Sequence, residues 1–327
     1  MSIPEFLVPP ALRLARADRV FATVPGARRH VAERALRPQR YGPPRTLRRD
    51  VAVEVTEHEG WAMYTLRPIE TPARSAVVYC HGGGWVNEIV LQHWQLAAQI
   101  AAEAGTTVIV PIYPLIPFGT AQEANRVVVD LAVRAREEHG AVCLAGDSAG
   151  GQIALSAAVT LRDDHAVAVA RTVLIAPALD LSLSHPEIPL VLPHDPWLGV
   201  EGTRHLIELW RADLPLDDPR VSPLAADLAG LGPLTIFIGT RDILWPDARL
   251  LRDRARAAGV DVELHERPGL VHVYPLLPTR SGRDARGSIV RRIRRALRGA
   301  SGDQGVRTAA GRRPAPEAHA PASRQFS

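Results

Sequence analysis

The middle of the chain alternates between short apolar runs rich in β-branched residues and longer stretches with helical periodicity, from about residue 50 to residue 298. Continuously apolar runs are typical of strands covered on both faces, and strand–helix alternation favours a mostly parallel sheet with helices on both sides. The predicted strands are residues 51–56, 61–67, 76–80, 107–110, 141–145, 172–175, 234–238 and 260–264. The predicted helices are residues 91–104, 120–138, 149–163, 246–258 and 284–298.

Two segments carry apolar residues without a strand pattern, namely residues 1–45 and about 183–218. In an α/β protein such segments tend to lie above the carboxyl ends of the strands, where ligands bind, so we expect them to form a lid. Residues 300–327 are rich in Ala, Pro, Gly, Ser and Arg and are predicted to be disordered. The expected organisation is a helical cap portion at 1–45, the main α/β domain at 46–299 with the insertion at 183–218, and a tail.

Charge separates the end of the chain from its body. All 39 basic residues are arginine, and the net charge is +9 from residue 280 onward against −5 for residues 1–279. A nucleic-acid partner would therefore depend on the end of the chain alone. The stretch "RGSIVRRIRRALRG" instead has the pattern of an amphipathic closing helix, with Ile289, Ile293 and Leu297 on one face. We expect no nucleic-acid partner.

The sequence also bears on the compartment. No apolar run approaches the roughly 20 residues of a membrane span, and the N-terminus lacks a basic segment followed by an apolar core and cleavage site. We therefore expect a cytoplasmic protein without stable membrane insertion. The two cysteines, Cys80 and Cys143, lie in apolar strand-like runs and are predicted to be buried free thiols rather than a disulfide or metal site.

A G-x-S-x-G motif lies where one predicted strand meets a helix. The stretch "GDSAGG", residues 146–151, follows the apolar run 141–145 and opens the helical pattern 149–163. In this setting the serine stands on a sharp strand-to-helix turn that exposes its hydroxyl, and glycines two positions away on either side relieve crowding. The motif makes Ser148 the candidate nucleophile.

Three consecutive glycines follow the predicted strand 76–80, in "HGGGW". Acyl transfer through a serine produces an oxyanion that needs preorganised N–H donors, and bare backbone can supply them. We assign these donors to Gly83 and Gly84, together with Ala149 at the start of the helix, whose dipole adds to the stabilisation. A flexible turn is the alternative interpretation. A phosphate-binding loop would need G-x-G-x-x-G or a following Lys-Ser/Thr, and this stretch has neither.

A serine nucleophile needs a base, and the base follows the serine and the acid in the chain order of this arrangement. His272, in "PGLVHVYPLLP", lies in the loop after the last predicted strand, where such a histidine should emerge. His265 alternates within that strand and is expected to be structural. His272 is therefore the predicted base.

The base needs an orienting carboxylate. Asp242 lies in the loop after the predicted strand 234–238 and is the preferred acid. Asp247 begins a helical pattern just after a proline, where a carboxylate also favours the helix dipole, and Asp180 follows another strand. Both stay open as alternatives. The apolar lining of the pocket is expected to include Trp85, Phe118 and Trp197.

These motifs resemble the hormone-sensitive-lipase-like esterases of the α/β-hydrolase fold. The resemblance rests on "HGGGW" and "GDSAGG", on residues 217–244 and on "GLVHVYP" at 269–275, and it covers about residues 75–300. It implies the α/β-hydrolase fold, a mostly parallel central sheet flanked by helices, with a helical cap. It also implies Ser148, Asp242 and His272 as the catalytic triad.

Two stretches depart from the family pattern. "DILWPD" is one residue longer than the D-x-L-x-D that usually follows the acid, and "PIYPLIPFG" at 111–119 lacks the glutamate of the family's Y-x-L-A-P-E turn. The pattern is closer to bacterial relatives described as acetyl-hydrolases. Neither departure touches the triad, but both bear on the shape of the pocket.

The expected function is that of a serine carboxylic ester hydrolase acting on short- to medium-chain acyl esters through an acyl-enzyme, with no metal and no organic cofactor. An acetyl-specific deacetylase, an amidase or a formamidase would use the same triad. A ligand-binding protein of this fold is a further alternative, although such proteins usually lack a triad member. The expected partner is a small ester substrate, and the resemblance adds a homodimer as an option.

Overall fold

The structure is a computed structural model that describes residues 2–70 and 72–310, with side chains described as far as residue 300. Within these residues eight strands form one sheet in the order β1-β2-β4-β3-β5-β6-β7-β8. The β1–β2 and β2–β4 pairs are antiparallel and all the others are parallel. The strands are β1 (Val51–His58), β2 (Trp61–Pro68), β3 (Ser75–Cys80), β4 (Thr107–Ile112), β5 (Ala141–Asp147), β6 (Arg171–Ile175), β7 (Leu234–Arg241) and β8 (Val262–Val271).

The two central strands determine where the site can form. Every residue of β3 and β5 is buried, as their continuously apolar sequences require. Their parallel register pairs Cys80 with Gly146, so the triple-glycine loop and the G-x-S-x-G turn leave the sheet side by side at its carboxyl edge. The predicted mostly parallel α/β architecture is confirmed.

The helices cover the sheet in packed pairs. Helix α3 packs against α9, and α4 packs against α5. The predicted helix bounds agree with the structure to within a residue or two, except at α9. The helices are α1 (Val8–Leu14), α2 (Val24–Leu36), α3 (Leu91–Ala104), α4 (Ala121–His139), α5 (Ala149–His165), α6 (Ile188–Val191), α7 (Val200–Arg211), α8 (Trp245–Ala257) and α9 (Arg280–Ala310).

The two segments outside the strand–helix alternation meet each other. The chain before α2 runs directly over the start of α7, where the Thr203 N–H donates to the carbonyl of Phe21 at 3.2 Å. Gly202 permits this approach, because a Cβ at that position would lie 2.6 Å from the same carbonyl oxygen. Phe21 also reaches the triple-glycine loop, since a Cβ on Gly84 would lie 2.8 Å from its ring. These segments therefore lie at the carboxyl edge of the sheet.

The end of the chain differs from the expected boundary at residue 299. Helix α9 continues to Ala310. The rest of the predicted tail, residues 311–327, lies outside the described residues. No helix in the described part of the chain is long and apolar enough to cross a membrane. Both cysteines are buried and free, as predicted.

Candidate active site

Ser148 lies on a strained turn between β5 and α5. Its backbone has φ 51° and ψ −118°, a conformation that few non-glycine residues adopt. A Cβ on Gly146 would overlap the carbonyl oxygen of Gly150, and a Cβ on Gly150 would overlap that of Cys80. The two glycines of the motif are therefore required by the close packing of this turn against β3.

The structure brings Ser148, His272 and Asp242 into one hydrogen-bonded row. His272 Nε2 lies 2.9 Å from Ser148 Oγ, and His272 Nδ1 lies 2.7 Å from Asp242 Oδ2. Since a carboxylate only accepts, Nδ1 carries the proton and Nε2 is free to accept from the serine hydroxyl. The second oxygen of Asp242 accepts from the Leu244 N–H at 2.9 Å. This arrangement selects the imidazole tautomer that can remove the serine proton.

Negative charge around the imidazole favours its protonated form. Burial alone would lower the pKa of His272, but the adjacent Asp242 carboxylate, with smaller effects of Asp195 and Asp147, raises that pKa above its ordinary value. The imidazolium that forms when His272 accepts a proton is thus stabilised in place.

The orientation of the triple-glycine loop is set by hydrogen bonds to its carbonyl groups. The carbonyl of Gly82 accepts from His81 Nδ1 at 2.7 Å, and that of Gly83 accepts from the backbone and side chain of Asn87 at 3.0 and 3.1 Å. In a trans peptide the next N–H points the opposite way, so these bonds direct the N–H groups of Gly83 and Gly84.

The N–H groups of Gly83, Gly84 and Ala149 donate to no acceptor among the described residues.

Because its Nδ1 donates to the Gly82 carbonyl, His81 acts on the glycine loop rather than on the triad. Burial lowers the pKa of His81 to about 4, so its imidazole stays neutral.

Asp147, the residue before Ser148, ties the glycine loop to the serine turn. Its Oδ1 accepts from the Tyr79 hydroxyl at 2.7 Å and from the Gly82 N–H at 3.0 Å. Its Oδ2 accepts from His93 Nε2 at 3.2 Å. His93 Nδ1 in turn accepts from the Val90 N–H, which places the ring proton on Nε2. Although burial alone would raise it, the pKa of Asp147 is lowered by His93 and by these hydrogen bonds.

A second buried carboxylate, Asp195, joins the 183–218 segment to the loop of the acid. Its Oδ1 accepts from the N–H groups of Trp197 and Leu198 at 2.8 and 2.9 Å, and its Oδ2 accepts from the Ile243 N–H at 2.9 Å. Burial and the charge of Asp242 raise the pKa of Asp195 to about 6. The Asp195 side chain thus fixes both the cavity wall at Trp197 and Leu198 and the backbone next to Asp242.

The row opens into a cavity of about 410 Å³. Its lining includes Ser148, His272, Gly83 and Gly84. The apolar part of the lining comes mainly from the N-terminal segment, the 183–218 segment and the loop after β8: Phe21, Trp197, Leu198, Val273, Leu276 and Leu277. The polar part comes from the loop after β3, the start of α3 and the chain after α2: Gln39, Asn87, Glu88, Gln92 and His93.

Only one of the three aromatic residues expected in the pocket lines this cavity. Trp197 does so, with its ring edge-on to the His272 ring at 5.8 Å between centroids. Phe118 does not, because its side chain is turned outward and is 72% exposed. Trp85 does not either, because its ring is buried behind the glycine loop and stacks on Trp210. For Phe118 and Trp85 the sequence prediction was wrong.

Gln152 holds these two buried tryptophans together. Its Oε1 accepts from Trp85 Nε1 at 3.2 Å and from Trp210 Nε1 at 3.0 Å, and its Nε2 donates to the Arg220 carbonyl at 2.6 Å. Trp85 belongs to the glycine loop and Trp210 to α7. Gln152, in the first turn of α5, therefore connects both of them to the helix that follows Ser148.

The His272 ring has Asp242 and Ser148 as its hydrogen-bond partners, and neither alternative acid bonds to it in the described part of the chain. Asp247 is buried, and its carboxyl has no hydrogen-bond partner among the described residues. Burial and the nearby Asp180 raise the pKa of Asp247 to about 7. His265, expected to be structural, lies on β8 with its ring stacked on Phe237.

The sequence patterns did not point to Asp147, Gln152, Asp195 or Glu88. The first two lie in or next to the G-x-S-x-G motif, and Glu88 lies four residues after the triple glycine, so their proximity was an available signal. Asp195 lies 47 residues before Asp242, and no local pattern connects the two.

A serine on a strand-to-helix turn, at the carboxyl edge of a mostly parallel sheet and beside a buried histidine–carboxylate pair, defines the α/β-hydrolase class. Comparison with known proteins agrees with that class. The chain belongs to the alpha/beta hydrolase fold family, whose model matches residues 77–276.

Relatives of known name are esterases, lipases and acetyl-hydrolases. The acetyl-hydrolase of Streptomyces hygroscopicus is 31% identical over 220 residues, which are 65% of this chain and 73% of that protein. The triacylglycerol lipase of Mycobacterium tuberculosis is 31% identical over 228 residues, which are 69% of this chain. That match spans about half of the lipase, 47% of its length.

A solved esterase structure from the bacterial hormone-sensitive lipase family superposes with a TM-score of 0.76 and 27% identity, covering 91% of this chain and 99% of that one. The predicted resemblance and the esterase- and lipase-like class are confirmed at the level of the family.

Proposed function

We propose that the protein is a serine carboxylic ester hydrolase that acts on short- to medium-chain acyl esters. The observation that carries this proposal is the Ser148–His272–Asp242 row, with 2.9 and 2.7 Å between its members, at the floor of a cavity. The cavity volume of about 410 Å³ falls within the range of small-molecule sites.

In the first half of the reaction, Ser148 Oγ attacks the ester carbonyl carbon while His272 Nε2 takes the hydroxyl proton. The carbonyl oxygen becomes an oxyanion, which accepts hydrogen bonds from the N–H groups of Gly83, Gly84 and Ala149. The tetrahedral intermediate then collapses, the C–O bond to the alcohol breaks, and His272 returns its proton to the leaving oxygen. The acyl group remains on Ser148.

In the second half, water enters and His272 removes its proton as the water oxygen attacks the acyl carbon. A second oxyanion forms at the same N–H groups, and collapse releases the carboxylic acid while the proton returns to Ser148 Oγ. Asp242 holds the imidazole and stabilises the imidazolium in both halves. The cycle uses no metal and no organic cofactor.

We also propose that residues 1–45 and the insertion at 183–218 together act as the cap. Support comes from the contact between Phe21 and Thr203 and from the position of Phe21, Trp197 and Leu198 in the cavity lining. A homodimer, the absence of a nucleic-acid partner and a cytoplasmic location stay predictions.

The acyl-chain length separates the ester hydrolase from an acetyl-specific enzyme. The acetyl-hydrolase relative supports the acetyl-specific alternative, whereas a cavity of this size with several apolar side chains leaves room for longer chains. We expect p-nitrophenyl butyrate and hexanoate to be hydrolysed at least as well as the acetate. A strict preference for acetate would favour the alternative, and turnover of anilides alone would favour an amidase.

The test of the chemistry compares the wild type with Ser148→Ala on this ester series. We expect turnover by the wild type and a loss of about 10⁴-fold or more in the variant. Ser184→Ala, at an exposed serine outside the cavity lining, serves as a matched control and should retain activity. A fluorophosphonate probe should label Ser148 in the wild type. Equal activity of the Ser148→Ala variant would refute the proposed nucleophile.

A further inference from the structure

Glu88 is a titratable side chain in the cavity lining that the proposed mechanism does not use. It lies four residues after Gly84, in the loop that follows β3. Its Oε2 is buried, and neither carboxyl oxygen accepts a hydrogen bond within the described part of the chain. Its backbone N–H donates to Gln39 Oε1 at 3.3 Å, which fixes the main chain but leaves the carboxyl group free.

Two neighbouring polar side chains of the lining, Asn87 and His93, have partners within the protein. The Asn87 side chain donates to the Gly83 carbonyl and accepts from His30 Nε2 at 2.7 Å. His93 bridges Asp147 and the Val90 N–H. These groups maintain the geometry of the glycine loop and the serine turn. The carboxyl of Glu88 forms no hydrogen bond that would position these segments, so its location in the cavity needs another explanation.

Burying a carboxyl oxygen without a partner is costly, since that oxygen loses its hydrogen bonds to water, and this is the position of Glu88 Oε2. No arginine of the described residues pairs with Glu88, and burial raises the pKa of this group to about 7. A hydrogen-bond donor arriving with a ligand would supply the missing partner. The remaining lining offers a place for an apolar group, chiefly Trp197, Leu198 and Leu276.

We propose that Glu88 is a specificity-determining residue that accepts a hydrogen bond from a hydroxyl or ammonium group on one arm of the ester substrate. This inference rests on the proposed esterase function and deepens it. The favoured substrates are esters in which one arm is apolar and the other carries a donor, as in esters of amino alcohols or of hydroxy acids. Simple alkyl esters leave the Glu88 carboxyl without a partner and are poorer substrates.

The test uses pairs of esters that differ in the donor and match in size. For the alcohol arm, 2-(dimethylamino)ethyl butyrate, protonated at neutral pH, is compared with 3-methylbutyl butyrate. For the acyl arm, p-nitrophenyl 6-hydroxyhexanoate is compared with p-nitrophenyl heptanoate. The quantity measured is the ratio of kcat/KM within each pair. Because a site built around a polar group discriminates strongly against an analogue that lacks the donor, we expect a preference of about ten- to a hundredfold in at least one pair.

Two variants distinguish recognition from a structural role. Glu88→Leu should abolish the preference, mainly through KM, and should improve hydrolysis of the apolar member. Glu88→Gln keeps an acceptor oxygen but not the charge, so it should retain a hydroxyl preference and lose an ammonium preference. Glu57→Gln, at an exposed glutamate on β1, is the matched control and should leave both ratios unchanged. If the leucine variant does not fold, the glutamine variant decides through the ammonium pair.

Equal kcat/KM values within both pairs, in an enzyme that hydrolyses these esters through Ser148, would overturn the inference and leave the proposed function standing. A wild-type preference that survives in both Glu88 variants would overturn it as well. Absence of Ser148-dependent hydrolysis for every ester would instead refute the proposed function and the Glu88 assignment with it.

Discussion

Asp147→Asn is the substitution that tests most directly how the glycine loop is held. Asparagine has the shape of aspartate, and its oxygen can still accept from Tyr79 and Gly82. Its amide nitrogen then faces His93 Nε2, which is also a donor. A change of His93 tautomer does not resolve this conflict, because a proton on Nδ1 would face the Val90 N–H. One buried hydrogen bond is therefore lost and two donors are brought together.

The size of the effect follows from the charge and the burial of the site. Losing a hydrogen bond to a buried ionised group costs about 1.5–3 kcal/mol of unfolding free energy. At about 2 °C per kcal/mol for a chain of this size, the melting temperature should fall by about 3–6 °C. Removing an oxyanion donor outright lowers kcat about 10²- to 10³-fold. Since the variant keeps an acceptor for the Gly82 N–H but sets two donors against each other beside it, we expect the glycine loop to shift slightly, with a fall of about tenfold in kcat and little change in KM.

The pH dependence gives an independent check with a defined sign. The pKa of Asp147 is lowered in the folded protein, so its contribution to stability is present above the unfolded value of about 3.9 and is lost as pH falls through the folded value. The wild type should therefore exceed Asp147→Asn in stability at pH 7, and the difference should shrink below about pH 4.

Thermal unfolding and p-nitrophenyl butyrate kinetics measure both effects. Tyr79→Phe is the matched control, because it removes one of the Asp147 contacts and leaves the Gly82 bond in place. We expect a cost of about 1.5–3 kcal/mol in unfolding free energy, similar to that of Asp147→Asn, but a kcat within about twofold of the wild type. A stable Asp147→Asn variant with unchanged kcat would refute the reasoning that this carboxylate positions the glycine loop.

Two further predictions concern the serine turn and the imidazole. Gly146→Ala places a methyl group against the Gly150 carbonyl and should lower the free energy of unfolding in denaturant by about 2–3 kcal/mol. Gly299→Ala, in a helix with open space around it, is the control and should be neutral or stabilising. Equal stabilities of the two variants would contradict the steric argument. For the wild type, kcat/KM should fall as pH drops through the His272 pKa, which is raised above its ordinary value of about 6.5. Asp195→Asn removes a negative charge near the imidazole and should move this acidic limb of the pH profile to lower pH. An acidic limb at the same pH in both proteins would show that Asp195 does not stabilise the imidazolium.

Much of the fold could be predicted because it depends on local pattern. The apolar runs that became β3 and β5 are buried at every position, and their length and flanking residues distinguish them from helices. Gly105 ends α3 in the left-handed conformation, as expected for a glycine after a helical pattern. The triad candidates could be found for the same reason, because each follows directly after a strand.

The pocket could not be predicted in the same way, because its lining depends on contacts between distant segments. Trp85 and Phe118 both flank conspicuous motifs, yet one turns into the core beneath the glycine loop and the other turns to solvent. Glu88 is an ordinary glutamate in the sequence. What distinguishes it is a carboxyl group that lines the cavity without a partner among the described residues, and only the folded chain reveals this.

Two buried side chains show that the proposed cap and the reacting groups form one packed unit. Gln152 connects the glycine loop to α7 through Trp85 and Trp210, and Asp195 connects the cavity wall to the loop of Asp242. A substrate that pushes the wall at Trp197 outward must therefore also strain the hydrogen bonds beside the acid. The cavity wall cannot move while the loop of Asp242 stays fixed. Acyl selectivity and turnover should therefore change together when these connections are altered.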